Sequence, residues 1–325
     1  MKKTLNLIDD PRPGGIRSLL DDIDAAGLWP CDRWEVRTVN PVVPVASCMS
    51  HDVIVVHYSM AWRKLPGLMF LRAMHPYARL VIVEHHYTQG YERQFVTSRR
   101  RFHNLLRTCY GLADCVVAVS HAQADWLRSL NVVSDDKLRT IPACRNYARF
   151  LSIERATKRF GPVVVGALGR IEHAKGFDLL IRAFAGLPAS EFRLRIAGDG
   201  SQRESLQQLA ADLPHVEFVG HLDDPAPFLA SCDVLAMPSR NEAFGLSCAE
   251  GKASGLPVVV SDVDALPDQA RNCGLVVETG NVNALRDALV EVARPEQRAA
   301  LGRKARASVV DAWPQYLSSW SRLLA

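Results

Sequence analysis

Hydrophobic positions follow two spacings that alternate along the whole chain. Residues 5–8, 34–39, 53–57, 80–83 and 115–119 are short apolar runs, four of them rich in valine or isoleucine, and read as strands. Between them, residues 16–26, 60–74, 97–112 and 122–130 have helical spacing. The pattern restarts after Arg149, with strands at 163–167, 194–197, 216–219, 234–237 and 258–260. Helices are expected at 177–185, 201–213, 225–230, 246–253 and 282–293. Strand-helix alternation twice over predicts an α/β chain of two doubly wound parallel sheets, each covered by helices on both faces. Polar residues and Gly161-Pro162 break the pattern near 148–162. Domains are therefore expected at 1–155 and from 156 onward.

The bulk numbers agree with this picture. A length of 325 residues fits two domains of roughly 150 each. With 48% hydrophobic and 23% charged residues the chain is of ordinary globular composition. No apolar run approaches the ~20 residues of a membrane span, and the first one breaks at Asp9-Asp10, too early for a signal peptide. Eight scattered cysteines without a CxxC pair suggest reduced thiols, not a disulfide framework or zinc site, so a cytoplasmic protein is expected. Charge is uneven: residues 1–150 hold 20 Lys+Arg against 14 Asp+Glu, the rest 19 against 21. A basic front half suits an anionic partner, or solubility alone.

In open α/β sheets ligands bind beyond the carboxyl ends of the strands, so the loops there carry the candidate chemistry. Gly14-Gly15 follows the first strand and opens a helix, which suits close approach to an anion or a simple tight turn. It lacks the GxGxxG spacing of a nicotinamide-dinucleotide site. His85-His86 ends the fourth strand; alternation along a strand leaves only one of the two on a given face. In "GALGRIEHAKGFDLL", Arg170 and Lys175 flank one loop at a helix start, where both reach a single diphosphate. "RIAGDG" and "VEFVGHL" end the next two strands in glycine-containing turns. "NEAFGLSCAEG" places Glu242 before, and Glu250 within, a helix whose start offers the N–H groups of Phe244, Gly245 and Leu246. Carboxylates grip vicinal hydroxyls, so two glutamates here suit the two sugars of a nucleotide-sugar.

Together, Gly169-Arg170…Lys175-Gly176, Ala197-Gly198-Asp199-Gly200, Val219-Gly220-His221 and "PSRNEAFGLSCAEGKASGLPVVVSD" resemble the retaining family 4 glycosyltransferases of GT-B fold. The likeness is strong over 160–290 and looser over 1–150. It implies two Rossmann-like domains facing across a cleft: an acceptor side at 1–155 and a nucleotide-sugar donor side at 156–305. A C-terminal helix, 306–325, would cross back to the first domain. It implies Arg170 and Lys175 on the donor diphosphate, Glu250 on the ribose, and Glu242 near the donor sugar with the backbone of Phe244, Gly245 and Leu246. Gly14 and Gly15, with Gly169, Gly198 and Gly220, would line the donor, and His85 or His86 would lie near the reacting carbon. Where the family usually has a second glycine and a glutamate, this chain has Ala265 and Asp268.

The reading is thus a metal-independent transferase with no cofactor beyond its nucleotide-sugar donor. Its acceptor would be a glycan, a lipid-linked molecule or a small molecule, in polysaccharide or glycoconjugate biosynthesis. Asp262-Val263-Asp264 has the spacing of a metal motif but is read as a loop. A GT-B epimerase and a non-catalytic nucleotide-sugar-binding protein are the alternatives; no nucleic-acid partner is expected. The segment "SMAWRKLPGLMFLRAM" and the arginines at 93, 99, 100, 101 and 107 suggest peripheral contact with an anionic membrane, or an ordinary helix packed on its sheet.

Overall fold

The computed structural model describes residues 2–10, 14–27, 31–42, 51–155 and 161–324. Three stretches covered by the sequence reading, 11–13, 43–50 and 156–160, lie outside the described residues. The chain divides into two units, Met1–Asn146 with Trp313–Ala325, and Tyr147–Ala312.

Unit 1 holds β1 (Lys2–Ile8), β2 (Cys31–Thr38), β3 (Val53–Val56), β4 (Arg79–Glu84), β5 (Cys115–Ala118) and β6 (Leu138–Thr140). They form one parallel sheet in the order β2-β1-β3-β4-β5-β6. Unit 2 holds β7 (Val163–Leu168), β8 (Phe192–Ala197), β9 (Val216–Gly220), β10 (Val234–Met237), β11 (Val258–Ser261) and β12 (Gly274–Val277). Its sheet, also parallel, runs β12-β11-β10-β7-β8-β9. The continuous valine runs are the central strands: every residue of β3, β10 and β11 is buried. Helices on both faces remove each such side chain from water, worth about 1.5–3 kcal/mol apiece.

The edge strands β6 and β12 fall outside the runs expected from the sequence. Edge positions lack a covered second side, so Arg139 is exposed and Val276 is 46% exposed; β6, Leu-Arg-Thr, forms no apolar run, whereas β12 does over the three residues Leu275-Val276-Val277. The helix expected at 60–74 begins instead as a tight turn, Trp62–Lys64, and becomes α-helical over Leu65–Met74 with Pro66 in its first turn. A separate helix, Gln89–Phe95, precedes Arg99–Gly111; the Thr88 side chain caps it by accepting from Tyr91 N at 3.0 Å.

The unit divisions fall after Asn146 and Ala312, not after 155 and 305. The short helix Ala148–Leu151 packs on the helix Leu246–Ala253, so it belongs with unit 2. Arg155 then donates from Nε to Ser254 O at 2.6 Å, from Nη1 to Cys232 O at 2.7 Å and from Nη2 to Leu229 O at 2.9 Å. At the other end, Arg306 reaches Ser254 O at 3.3 Å from the helix Pro295–Ala307. Only the helix Ala312–Leu324 joins unit 1, where Tyr316 and Trp320 are buried and Arg79 donates to Leu323 O.

Candidate active site

Strand order fixes where each unit can hold a ligand. In unit 1 the order reverses between β1 and β3, and in unit 2 between β7 and β10; loops leaving adjacent strands in opposite directions open a crevice there. The candidate residues of the sequence reading fall on these loops and their neighbours.

In unit 2 the loops after β7 and β10 are locked together. Gly176 has φ +67, and a Cβ there would stand 2.0 Å from Pro238 O, so only glycine permits the two backbones to meet. Arg240 N donates to Ala174 O at 2.7 Å, and the Arg240 guanidinium grips both Asp178 oxygens at 2.7 Å. Across this junction Lys175 Nζ lies 2.5 Å from Glu242 Oε2, with both side chains largely covered. Gly169 sits under the Lys175 stem. Gly198, at φ +136, would drive a Cβ to within 1.9 Å of Gly169 O, while its N–H donates to Gly220 O at 2.7 Å. Gly169, Lys175, Gly198, Gly220 and Glu242 thus form one cluster. Arg170 stands at its rim with an exposed side chain.

The helix Leu246–Ala253 starts beside Glu242, with Gly245 as its cap residue. Its N–H groups ahead of the first helical bond, Cys248 N to Gly245 O at 2.9 Å, are those of Leu246 and Ser247, so its N-terminus favours an anion or a hydroxyl. Glu250 lies one turn further on and is 6% exposed. Three residues outside the candidate set, Gln269, Asp264 and Ala265, hold this start in place. Gln269 Nε2 donates to Phe244 O at 2.5 Å and Gly245 O at 3.2 Å, and Asp264 Oδ2 accepts from Glu242 N at 2.9 Å. Ala265 N donates to Glu242 O at 3.4 Å. Asp262 accepts instead from Thr279 N at 2.8 Å and Oγ1 at 2.6 Å. The two carboxylates of the D-x-D stretch therefore serve different loops.

In unit 1 the reversal is bridged by neutral groups. Asn6 of β1 donates from Nδ2 to Glu35 O at 3.3 Å, and its Oδ1 is 3.1 Å from His57 Nε2. His57, just past β3, has Nδ1 3.0 Å from His85 Nε2, just past β4. Burial, then the charge of His86, pushes the His57 pKa down to about 3. Burial, then His57 and His86, holds His85 well below its usual value. Glu84 pins the loop that carries both histidines: Oε1 accepts from His86 N at 2.7 Å and Tyr87 N at 2.9 Å, and Oε2 from the Tyr110 hydroxyl at 2.7 Å. Lys64, 6% exposed, donates to Asp9 Oδ2 at 2.8 Å and to Ser59 O at 2.9 Å, tying the ends of β1 and β3. Gly14 precedes the helix Gly15–Ala26, and a Cβ added to it would meet no atom within 4 Å.

Of the cysteines, Cys109, Cys115, Cys144, Cys232, Cys248 and Cys273 are free and buried. Burial raises Cys109 and Cys248 to about 12 and Cys232 to about 11, which leaves them as protonated, inert core groups.

Two doubly wound parallel sheets with polar groups gathered at their order reversals define the GT-B class of fold. The family model "Glycosyl transferases group 1" matches residues 162–294, and "Glycosyltransferase Family 4" matches 37–149. A lipopolysaccharide core biosynthesis glycosyltransferase of Rhizobium meliloti is 30% identical over 71% of this chain and 72% of its own length. A D-inositol 3-phosphate glycosyltransferase of Saccharomonospora viridis is 35% identical over 60% of this chain; the match spans 51% of that protein. The Anabaena protein Alr3699/HepE, solved with UDP and glucose, superposes with a TM-score of 0.75 at 18% identity, over 100% of this chain and 98% of that one. The chain belongs to the family 4 glycosyltransferases.

Proposed function

We propose that this glycosyltransferase moves a sugar from a nucleoside-diphosphate sugar to a glycan or lipid-linked acceptor, retaining the anomeric configuration and using no metal. The observation that carries this reading is the Lys175–Glu242 pair on two interlocked loops, next to a helix N-terminus with Glu250 one turn inside. Lys175 and Arg170 supply positive charge for a departing diphosphate, a preorganised electrostatic role. Glu250 takes the ribose hydroxyls. Glu242, with the N–H groups of Phe244, Gly245 and Leu246, takes the sugar, once the diphosphate draws Lys175 away from it.

Retention follows from attack on the face the diphosphate leaves. The acceptor oxygen bonds to the anomeric carbon as the bond to the phosphate oxygen breaks; that oxygen keeps the electron pair and receives the acceptor proton. A double displacement needs a free carboxylate as nucleophile. Glu84, beside His85, has both oxygens occupied by three donors, which favours the single-step path.

The Rhizobium relative's role in lipopolysaccharide core synthesis supports an acceptor in cell-surface glycoconjugate synthesis. The epimerase and non-catalytic readings gain no support from the relatives. For the peripheral membrane contact, Trp62, Met69 and Phe95 are exposed, as are Arg63, Arg93, Arg99, Arg100 and Arg101, all in unit 1. Lys64 and Arg72 drop out of that set: Lys64 is buried on Asp9, and Arg72 pairs with Asp114 at 2.9 Å. Among the described residues no helix is long and apolar enough to cross a membrane.

A thermal-shift panel of nucleoside diphosphates and nucleotide-sugars tests the donor reading. The matching donor at 100 times its Kd should add about 2.7 kcal/mol. No stabilisation by any member, with no nucleoside diphosphate released on adding acceptors, would overturn it. Activity lost in EDTA and restored by manganese would overturn the metal-free step. Binding to phosphatidylglycerol vesicles at low salt and release at high salt is expected of the membrane contact, at ~1 kcal/mol per basic residue. Equal sedimentation with neutral vesicles removes it.

A further inference from the structure

A backbone carbonyl accepts hydrogen bonds and never donates them. Glu35 O therefore fixes the orientation of the Asn6 amide, with Nδ2 toward the carbonyl at 3.3 Å and Oδ1 toward His57. That Oδ1 requires a proton on His57 Nε2. His57 is neutral, so its Nδ1 is bare and accepts a proton held on His85 Nε2. His85 is neutral too, and its remaining nitrogen, Nδ1, carries a lone pair. We infer that Asn6 and His57 are positioning residues that hold His85 as a one-way hydrogen-bond acceptor for a hydroxyl of the transferred sugar. This rests on the function proposed above and on the family resemblance, which implies a histidine of this loop near the reacting carbon.

The geometry supports a built relay. Its members come from three neighbouring strands, Asn6 within β1, His57 at the end of β3 and His85 at the end of β4. Asn6 is 1% and His57 3% exposed, and the His57 and His85 rings, with planes 28° apart and centroids 5.3 Å apart, meet edge to edge as their 3.0 Å nitrogen contact requires. A buried asparagine inside an apolar strand costs stability unless its amide is used, and here both ends are used. The charged neighbours are turned elsewhere. Glu84 serves the His86 and Tyr87 N–H groups and Tyr110, and Lys64 serves Asp9 and Ser59. Among the described residues His86 is a further titratable neighbour, edge-on to His85 at 6.4 Å.

The test reads the tautomers directly in the free protein. Nitrogen-15 NMR of histidine-labelled protein at pH 7 should show both His57 and His85 protonated on Nε2 alone. A proton on Nδ1 of either ring would overturn the relay. Asn6→Asp then reverses it without changing size. A carboxylate at that position keeps His57 doubly protonated at acid pH, so His57 donates to His85 Nε2 and the His85 proton moves to Nδ1. Turnover in this variant should fall at least tenfold at pH 6 and recover toward the wild-type value by pH 8.5, while the wild type shows no such acid limb. A loss that is equal at all pH values would assign Asn6 to structure only and overturn the inference. His57→Gln keeps a donor toward Asn6 and an acceptor toward His85, and should retain more kcat than His57→Phe at matched folding. Equal kcat in the two variants also counts against the relay. Failure of the wild type to transfer sugar from any donor would overturn the function proposed above, and the tautomer result would still decide the relay.

Discussion

The two units answer the same topological situation with opposite chemistry. In unit 2 the order reversal is bridged by a full ion pair, Lys175 to Glu242, on a floor of glycine backbone. In unit 1 it is bridged by an amide and two neutral imidazoles, all partly or fully buried, with the nearby ammonium of Lys64 matched to Asp9. The difference teaches what each half is sensitive to. A charged pair depends on its opposite charges and on the loops that hold them; a neutral buried relay holds a fixed pattern of protons and loses it when protonated. Unit 2 should therefore respond to added atoms and to lost charge, and unit 1 to pH.

The largest effect should come from crowding the unit 2 floor. Gly198→Ala places a Cβ against Gly169 O at a backbone angle that alanine avoids, and overpacking plus strain should cost about 4 kcal/mol or more. The counterpart in unit 1, Gly14→Ala, meets open space and should leave the stability within about 0.5 kcal/mol of wild type. Equal melting of the two variants, followed by circular dichroism, would erase this contrast.

Charge loss comes next. Lys175→Ala should remove on the order of 2–4 kcal/mol of transition-state stabilisation, read as kcat/KM. Glu242→Ala should lower turnover chiefly. Glu250→Ala should weaken nucleoside diphosphate binding by about 1.5–3 kcal/mol in calorimetry, the range for hydrogen bonds to a charged group. Unchanged nucleotide affinity in Glu250→Ala would remove its ribose role.

The smallest effect per unit change is the acid response of unit 1. His57 is neutral when folded, with its pKa lowered to about 3 by burial, and it binds a proton near 6.5 when unfolded. The unfolded state thus binds more protons between these values, and stability falls as pH drops through that window, by up to about 1.4 kcal/mol per pH unit for this one group. Denaturant melts at pH 7.5 and 5.5 should show the loss, and His57→Phe should flatten it. An identical slope in the variant would assign the acid sensitivity to other groups.

What the sequence disclosed follows the same division. The cluster of loops in unit 2 was legible because it is written in spacing: Gly169, Gly198 and Gly220 at or just past the ends of β7, β8 and β9, Lys175 just before one helix, and Glu242 before and Glu250 within another. The central strands were legible because burial on both faces demands unbroken runs such as Val53–Val56. The unit 1 relay was not legible, because Asn6, His57 and His85 are neighbours only through strand register. One signal was present: Asn6 interrupts the apolar run "LNLI", and a polar residue there needs a partner. Asp264 and Gln269 escaped for a related reason, since their hold on Glu242 and Phe244 depends on how two loops meet. The edge strand β6 escaped because half of its surroundings are solvent and an arginine stands at its centre; β12 carried a signal, Leu275-Val276-Val277, but a run of only three residues.

The guanidinium of Arg155 bears on how this protein can be cut. It supplies the carbonyls of Leu229, Cys232 and Ser254, which close two helices of unit 2, Ala226–Ser231 and Leu246–Ala253, and it precedes the stretch that the group 1 transferase family matches, 162–294. A unit 2 fragment beginning at residue 162 would keep Arg306 on Ser254 O and the Cys232 N–H on Leu229 O, but Cys232 O would lose the Arg155 guanidinium, at roughly 1–3 kcal/mol if it stays buried. A fragment running from Tyr147 to Ala312 keeps Arg155, the packed helix before it and Arg306, and is the better choice for expression and nucleotide-binding work.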